Sequence, residues 1–194
     1  MAGVYEPDAA RIAEIHSDER LAAAFAGLHW FDSKDEILGD ASIVGVACEG
    51  DNAESLGMTA EIVAAGKHVW LDKPAGDDWA EWQRVAADAE RQGLTIQLGY
   101  MLRYNPCFET VAEWARSDFL GTIFKVRADM SKVAGITPGF TGDAGAASAR
   151  VGGGIFFDLG GHMLDQGKLV IHSRCVALSV SLIPKASPLQ CCGS

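Results

Sequence analysis

Gly66-Lys67-His68-Val69-Trp70-Leu71-Asp72-Lys73-Pro74 is the stretch whose reading decides the fold. Residues 54–65 before it form a helical pattern, and Gly66 suits the residue that closes a helix. His68 to Leu71 is then a short apolar strand. Asp72-Lys73-Pro74 leaves that strand and puts a lysine at its carboxyl end. Ligands of open α/β sheets lie in that position, outside the carboxyl ends of the strands.

Outward from this stretch, strand and helix alternate. Ala2 to Tyr5 reads as a short buried strand ending at Glu6. Ala9 to Ala26 reads as one Ala-rich helix with Ile12, Ile15, Leu21 and Phe25 at its apolar positions. Trp30-Phe31 is a short strand or turn. Asp32 or Ser33 caps a helix through Leu38, closed by Gly39. Ala41 to Cys48 is β-branched and apolar enough for a parallel strand buried on both faces. Asp77 and Asp78 suit the start of a helix that runs to Arg91 and is closed by Gly93. Leu94 to Leu98 is the next strand. This order predicts a doubly wound parallel sheet over residues 1–99.

The style changes near Gly99-Tyr100, which is the expected domain boundary. Asn105-Pro106 is a helix start, with Asn as cap and Pro in the first turn, and the helix runs to Arg116. Thr122 to Met130 reads as a longer strand. Ser131 to Val151 is a loop rich in Gly, Ala, Ser and Thr. A second distinctive stretch follows, Gly152-Gly153-Gly154-Ile155-Phe156-Phe157-Asp158-Leu159-Gly160-Gly161-His162-Met163-Leu164-Asp165. Asp158 and His162 stand four residues apart, one helical turn, so they share a face. Trp79, Trp82 and Trp114 fall on helix faces and are expected in the core or at an interface.

Asp165 is the last acidic residue of a chain that holds 26. At that density about four or five would be expected in residues 166–194. The segment 167–194 is therefore either a divergent native tail or the product of a shifted reading frame. Cys175 to Ile183 within it could form a strand.

The net charge of −10 opposes binding to nucleic acid and to anionic membranes. No apolar run approaches the roughly 18 residues of a membrane span. The first residues lack the basic-then-apolar order of a signal peptide, so a cytoplasmic location is expected. The five cysteines are odd in number and show no C-x-x-C spacing, which argues against a disulfide framework and a zinc site.

The stretches Gly66–Pro74 and Gly152–Asp165 together resemble the Gfo/Idh/MocA family of NAD(P)-dependent oxidoreductases, over about Val4 to Gln166. The resemblance implies a Rossmann-like domain over 1–99 that lacks its first strand, then the start of an α+β substrate domain over 100–166. No G-x-G-x-x-G occurs in the sequence, so the usual pyrophosphate cradle is missing from it. The family motif Glu-Lys-Pro is here Asp72-Lys73-Pro74, in which Pro74 could follow a cis bond. By resemblance Lys73 donates to the reacting oxygen of a substrate. His162 is the general base, an imidazole suited to giving the proton back, and Asp158 orients it or the substrate hydroxyl. The reading also implies that Lys73 and His162 face one pocket.

Cofactor contacts fall on Glu6, Cys48, Glu49, Asn52, Asp72 and Pro74. Glu6 ends the first strand present, where an acid binds the ribose hydroxyls of NAD and repels the extra phosphate of NADP. It reads equally well as a solvated turn acid. The cofactor is NAD or NADP, with NAD favoured. Glu49 stands where the family usually has proline. Arg103-Tyr104-Asn105-Pro106 matches the family's Arg-Phe-Asn-Pro-like segment and suggests substrate contacts, although Asn105 is already explained as a cap. A metal centre is not expected. The implied substrate is a sugar, polyol or cyclitol. Family members are usually homo-oligomers, an expectation that an incomplete chain weakens. The alternative function is a non-catalytic binding module or remnant of the same family.

Overall fold

The computed structural model describes residues 1–50, 54–128 and 154–170, with side chains in the last segment described from residue 160 onward. The chain divides into two compact units, Met1–Gly99 and Tyr100–Ser194.

The first unit alternates strand and helix: β1 (Gly3–Val4), α1 (Ala9–Ser17), α2 (Glu19–Phe25), β2 (His29–Trp30), α3 (Lys34–Gly39), β3 (Gly45–Cys48), α4 (Ser55–Ala64), β4 (His68–Leu71), α5 (Trp79–Arg91) and β5 (Ile96–Leu98). All strand pairs are parallel. They form two sheets, one of β1 and β2 and the other in the order β3-β4-β5. In the larger sheet Cys48 lies opposite Leu71, and Leu71 opposite Leu98, so the three strands end together. This is a mixed α/β, partial Rossmann-like fold.

Several boundaries depart from the sequence reading. The helix expected over Ala9–Ala26 is two helices. Asp18 adopts an extended conformation, and its carboxylate accepts the Leu21 N–H at the start of α2. A short side chain that competes for backbone donors breaks the run there. The strand expected from Ala41 begins only at Gly45. Asp40 and Ile43 form a turn, and both of their carbonyls accept from the Lys67 ammonium, at 2.6 and 2.7 Å. Nor is this strand buried on both faces. Val46, Cys48, Val69 and Leu71 alternate with the exposed Gly45, Ala47, His68 and Trp70. The inward face packs on α4 and α5 through Ile62, Val63, Val85 and Ala89.

The capping expectations hold. Asp78 accepts from the Glu81 N–H and starts α5, while Gly66 and Gly93 adopt positive φ after α4 and α5. Trp82 packs against the core, whereas Trp79 is 69% exposed and so lies outside it.

The described part of the second unit is helical: a 3-10 turn (Met101–Tyr104), α6 (Pro106–Arg116) and α7 (Gly154–Val170). Asn105 caps α6 by accepting the Cys107 N–H at 3.0 Å, with proline at the first helical position. Residues 122–128 are not a strand. No described segment pairs with them, and Phe124 is 96% exposed, so the apolar pattern finds no ladder to join. Met130, the loop 131–151, Gly152, Gly153 and the tail from residue 171 lie outside the described residues, as does Asn52.

Candidate active site

In the first unit the parallel register aligns the carboxyl ends of β3 and β4. The Asp72 N–H donates to the Cys48 carbonyl at 3.1 Å, so Cys48-Glu49-Gly50 and Asp72-Lys73-Pro74 leave the sheet side by side. The Lys73–Pro74 peptide bond is cis. Pro74 is buried, while Asp72 and Lys73 are half-buried. Gly99 closes this corner. A Cβ there would stand 2.9 Å from the Trp70 ring and 3.1 Å from Asp72 Oδ1, so only glycine fits.

The Cys48 thiol points away from the strand ends. It contacts the Met58 sulfur at 3.7 Å inside the core, and burial pushes its pKa up. Only the backbone of Cys48 is left to meet a ligand. Glu49 is exposed. Glu6 follows β1, in the other sheet, and one of its carboxylate oxygens accepts the Asp8 N–H at 2.9 Å. That bond is the local contact expected of a turn acid.

In the second unit α7 carries both Asp158 and His162, one turn apart along its backbone. His162 is 4% exposed. Its ring meets the edge of Tyr100 in a T-shaped contact, with centroids 5.7 Å apart and planes at 85°. Arg103 reaches the same helix. Its Nε donates to both carboxylate oxygens of Asp165, at 2.9 and 2.8 Å, and its Nη2 donates to Oδ1 as well. The bridge raises the Arg103 pKa, and burial followed by the Asp165 charge raises that of Tyr100. Tyr104 is exposed, and Asn105 is occupied as the α6 cap.

The comparisons with known proteins show the family of the first unit. The profile of the oxidoreductase family with an NAD-binding Rossmann fold matches residues 1–100. The chain belongs to the Gfo/Idh/MocA family. It is 26% identical over 157 residues to the rhizopine catabolism protein MocA of Rhizobium meliloti, a match covering 81% of this chain and 47% of that protein. Among solved structures, GenD2 from gentamicin A biosynthesis, in complex with NAD, superposes with a TM-score of 0.67 at 24% identity, over 88% of this chain and 46% of GenD2. A putative myo-inositol dehydrogenase from Sinorhizobium meliloti gives 0.67 at 17% identity, over 90% and 48%. The chain thus spans just under half the length of these relatives.

Tyr100, Asp165 and Gln166, which lie beside His162 or on its side of the helix, were not among the site residues expected from the sequence. Asp165 was visible three residues after His162, on the same helical face. Tyr100 gave no such signal, because its contact with His162 spans 62 positions of chain. Gln166 is buried, and its Nε2 has no hydrogen-bond partner among the described residues.

The residues present fit a nicotinamide dinucleotide in part. The aligned ends of β3 and β4 and the Glu6 carboxylate suit its ribose and nicotinamide side. The 194 residues contain no glycine cradle for its pyrophosphate.

Proposed function

We propose that this chain is the core of a nicotinamide-dependent oxidoreductase that interconverts an alcohol and a ketone on a sugar, polyol or cyclitol. The observation that carries the reading is Lys73, placed just past the carboxyl end of β4 beside the end of β3. The NAD-bound relative and the inositol dehydrogenase among the structural neighbours support the cofactor and the substrate class. NAD is favoured over NADP because Glu6 would repel an added phosphate. The bound cofactor supplies the hydride acceptor. Lys73 donates to the substrate oxygen and stabilises its developing negative charge. The His162 imidazole takes the hydroxyl proton as the carbon–hydrogen bond breaks, and Asp158 orients the exchange. Cys48, Glu49, Asp72 and Pro74 border the cofactor, and Tyr104 and Asn105 border the substrate. Arg103 acts on the substrate side through Asp165.

Titration with NADH, followed by its fluorescence, tests this. A saturable signal that Lys73→Met weakens or uncouples from polyol addition is expected. No saturable signal up to millimolar cofactor would overturn the reading. That outcome would favour the second one, a non-catalytic binding module of the same family.

A further inference from the structure

The second unit holds a device that the proposed chemistry does not itself require. Three buried polar residues, His162, Asp165 and Gln166, lie along one side of α7. Two of them are engaged by the 3-10 turn and its flank. Arg103 grips Asp165 with its guanidinium edge, and Tyr100 sets its ring against His162. Tyr100 and Arg103 are three residues apart, tied by the Arg103 N–H to the Tyr100 carbonyl at 3.1 Å. The turn therefore reaches α7 as one piece with two points of contact.

Gly161 makes the approach feasible. A Cβ at residue 161 would lie 3.1 Å from the Tyr100 hydroxyl oxygen and 3.4 Å from its Cε1. The helix has been cut away where the phenol passes. We propose that Tyr100, held by the Arg103–Asp165 bridge, is a positioning residue that fixes the orientation of the His162 imidazole. The proposal rests on the reading of His162 as the general base, but its test does not.

The logic is rotational. An imidazole that must take a proton along one direction loses rate when its ring can turn. An aromatic edge-to-face contact holds a ring plane at little cost in polarity. The bridge fixes the turn because a guanidinium sharing two oxygens resists rotation in a way that a single bond does not. The charged and titratable groups on the turn and on this side of α7 include Tyr100, Arg103, Tyr104 and Asp165, and α6, which packs on the same helix, adds Cys107, Glu109, Glu113 and Arg116.

The test uses the full chain with isotope-labelled histidine, and NMR of the His162 ring, assigned by its loss in His162→Gln. Tyr100→Phe keeps the ring and should leave the His162 shift and titration midpoint unchanged. Tyr100→Leu should move both. Gly161→Ala should displace the phenol and move them too, and adding Tyr100→Phe to Gly161→Ala should restore them, because the nearest clashing atom is then gone. Asp165→Asn breaks the bridge that holds the turn and should move the His162 shift in the same direction as Tyr100→Leu. In turnover, Tyr100→Leu should lower kcat about tenfold or more while KM holds. If Tyr100→Leu and Gly161→Ala lower the melting temperature yet leave the His162 shift and midpoint as in wild type, Tyr100 is core packing only and the proposal falls. Wild-type protein without NADH binding would defeat the oxidoreductase reading, while the imidazole spectra would still decide the positioning role.

Discussion

Replacing Lys67 by methionine isolates the contact that shapes the entry to β3. The side chain is 3% exposed, and its ammonium donates to the carbonyls of Asp40 and Ile43 at 2.6 and 2.7 Å. Hydrogen bonds from a charged donor contribute about 1.5–3 kcal/mol each. Methionine fills a similar volume and also removes the cost of burying a cation, which offsets part of that loss. The Asp40 carbonyl keeps a second donor, the Ile43 N–H at 3.2 Å, whereas the Ile43 carbonyl loses its cationic partner. The net expectation is a loss of about 2 kcal/mol, because one bond is partly replaced and the other is not. For a unit of this size that corresponds to a fall in melting temperature of roughly 8 °C or more. Circular dichroism melts and urea titrations read it directly. Hydrogen exchange adds a local readout, since the His68 N–H donates to the Val44 carbonyl next to the released turn, so its exchange should accelerate. A Lys67→Met variant within 0.5 kcal/mol of wild type, with His68 still protected, would refute the reasoning.

Three further outcomes are expected. Asp18→Ala removes the α2 cap and should cost about 1 kcal/mol in urea unfolding, whereas Asp18→Asn should cost far less. Gln166→Met removes a buried amide nitrogen that has no hydrogen-bond partner among the described residues, and should raise stability by about 1 kcal/mol; a fall of that size would show that the amide is satisfied in solution. Burial raises the Tyr100 pKa above its ordinary value of 10.0, so the neutral phenol is the form the fold favours. Its contribution is complete below that value and is lost as pH rises through the elevated one. Ultraviolet titration should therefore show one tyrosine ionising later than the others, absent in Tyr100→Phe, and alkaline unfolding should coincide with it.

Local rules made much of the first unit legible. Gly66, Asp78, Gly93 and Asn105-Pro106 act through their own backbone neighbours, and each does in the structure what its type predicts. The errors came where two local preferences competed. Ala9–Ala26 is helical in propensity throughout, but Asp18 offers a cap, and a cap inside a helical run wins when the chain needs to turn. Ala41–Cys48 is apolar enough for a strand from end to end. A lysine more than twenty positions away holds its first part in a turn, and no window centred on residue 41 contains that lysine.

Burial on one face rather than two was written in the same segment. Gly45, Ala47, His68, Trp70 and Gln97 take the outward positions of the three strands, and only one of them, Trp70, is large and apolar. Period-two alternation of this kind marks a strand with one covered face, and it competes with the reading of an unbroken apolar run. The candidate site divides along the same line. Lys73 was legible because a strand end dictates where it stands, and strand ends follow from local pattern. The surroundings of His162 depend on Tyr100 and Arg103, which reach it only after the chain has folded back over some sixty residues. The helix carries His162 and Asp165; a distant turn brings Tyr100 and Arg103 against them. Sequence spacing encodes the first of these and is silent on the second, which is why the contact of Tyr100 with His162 emerges only in the structure.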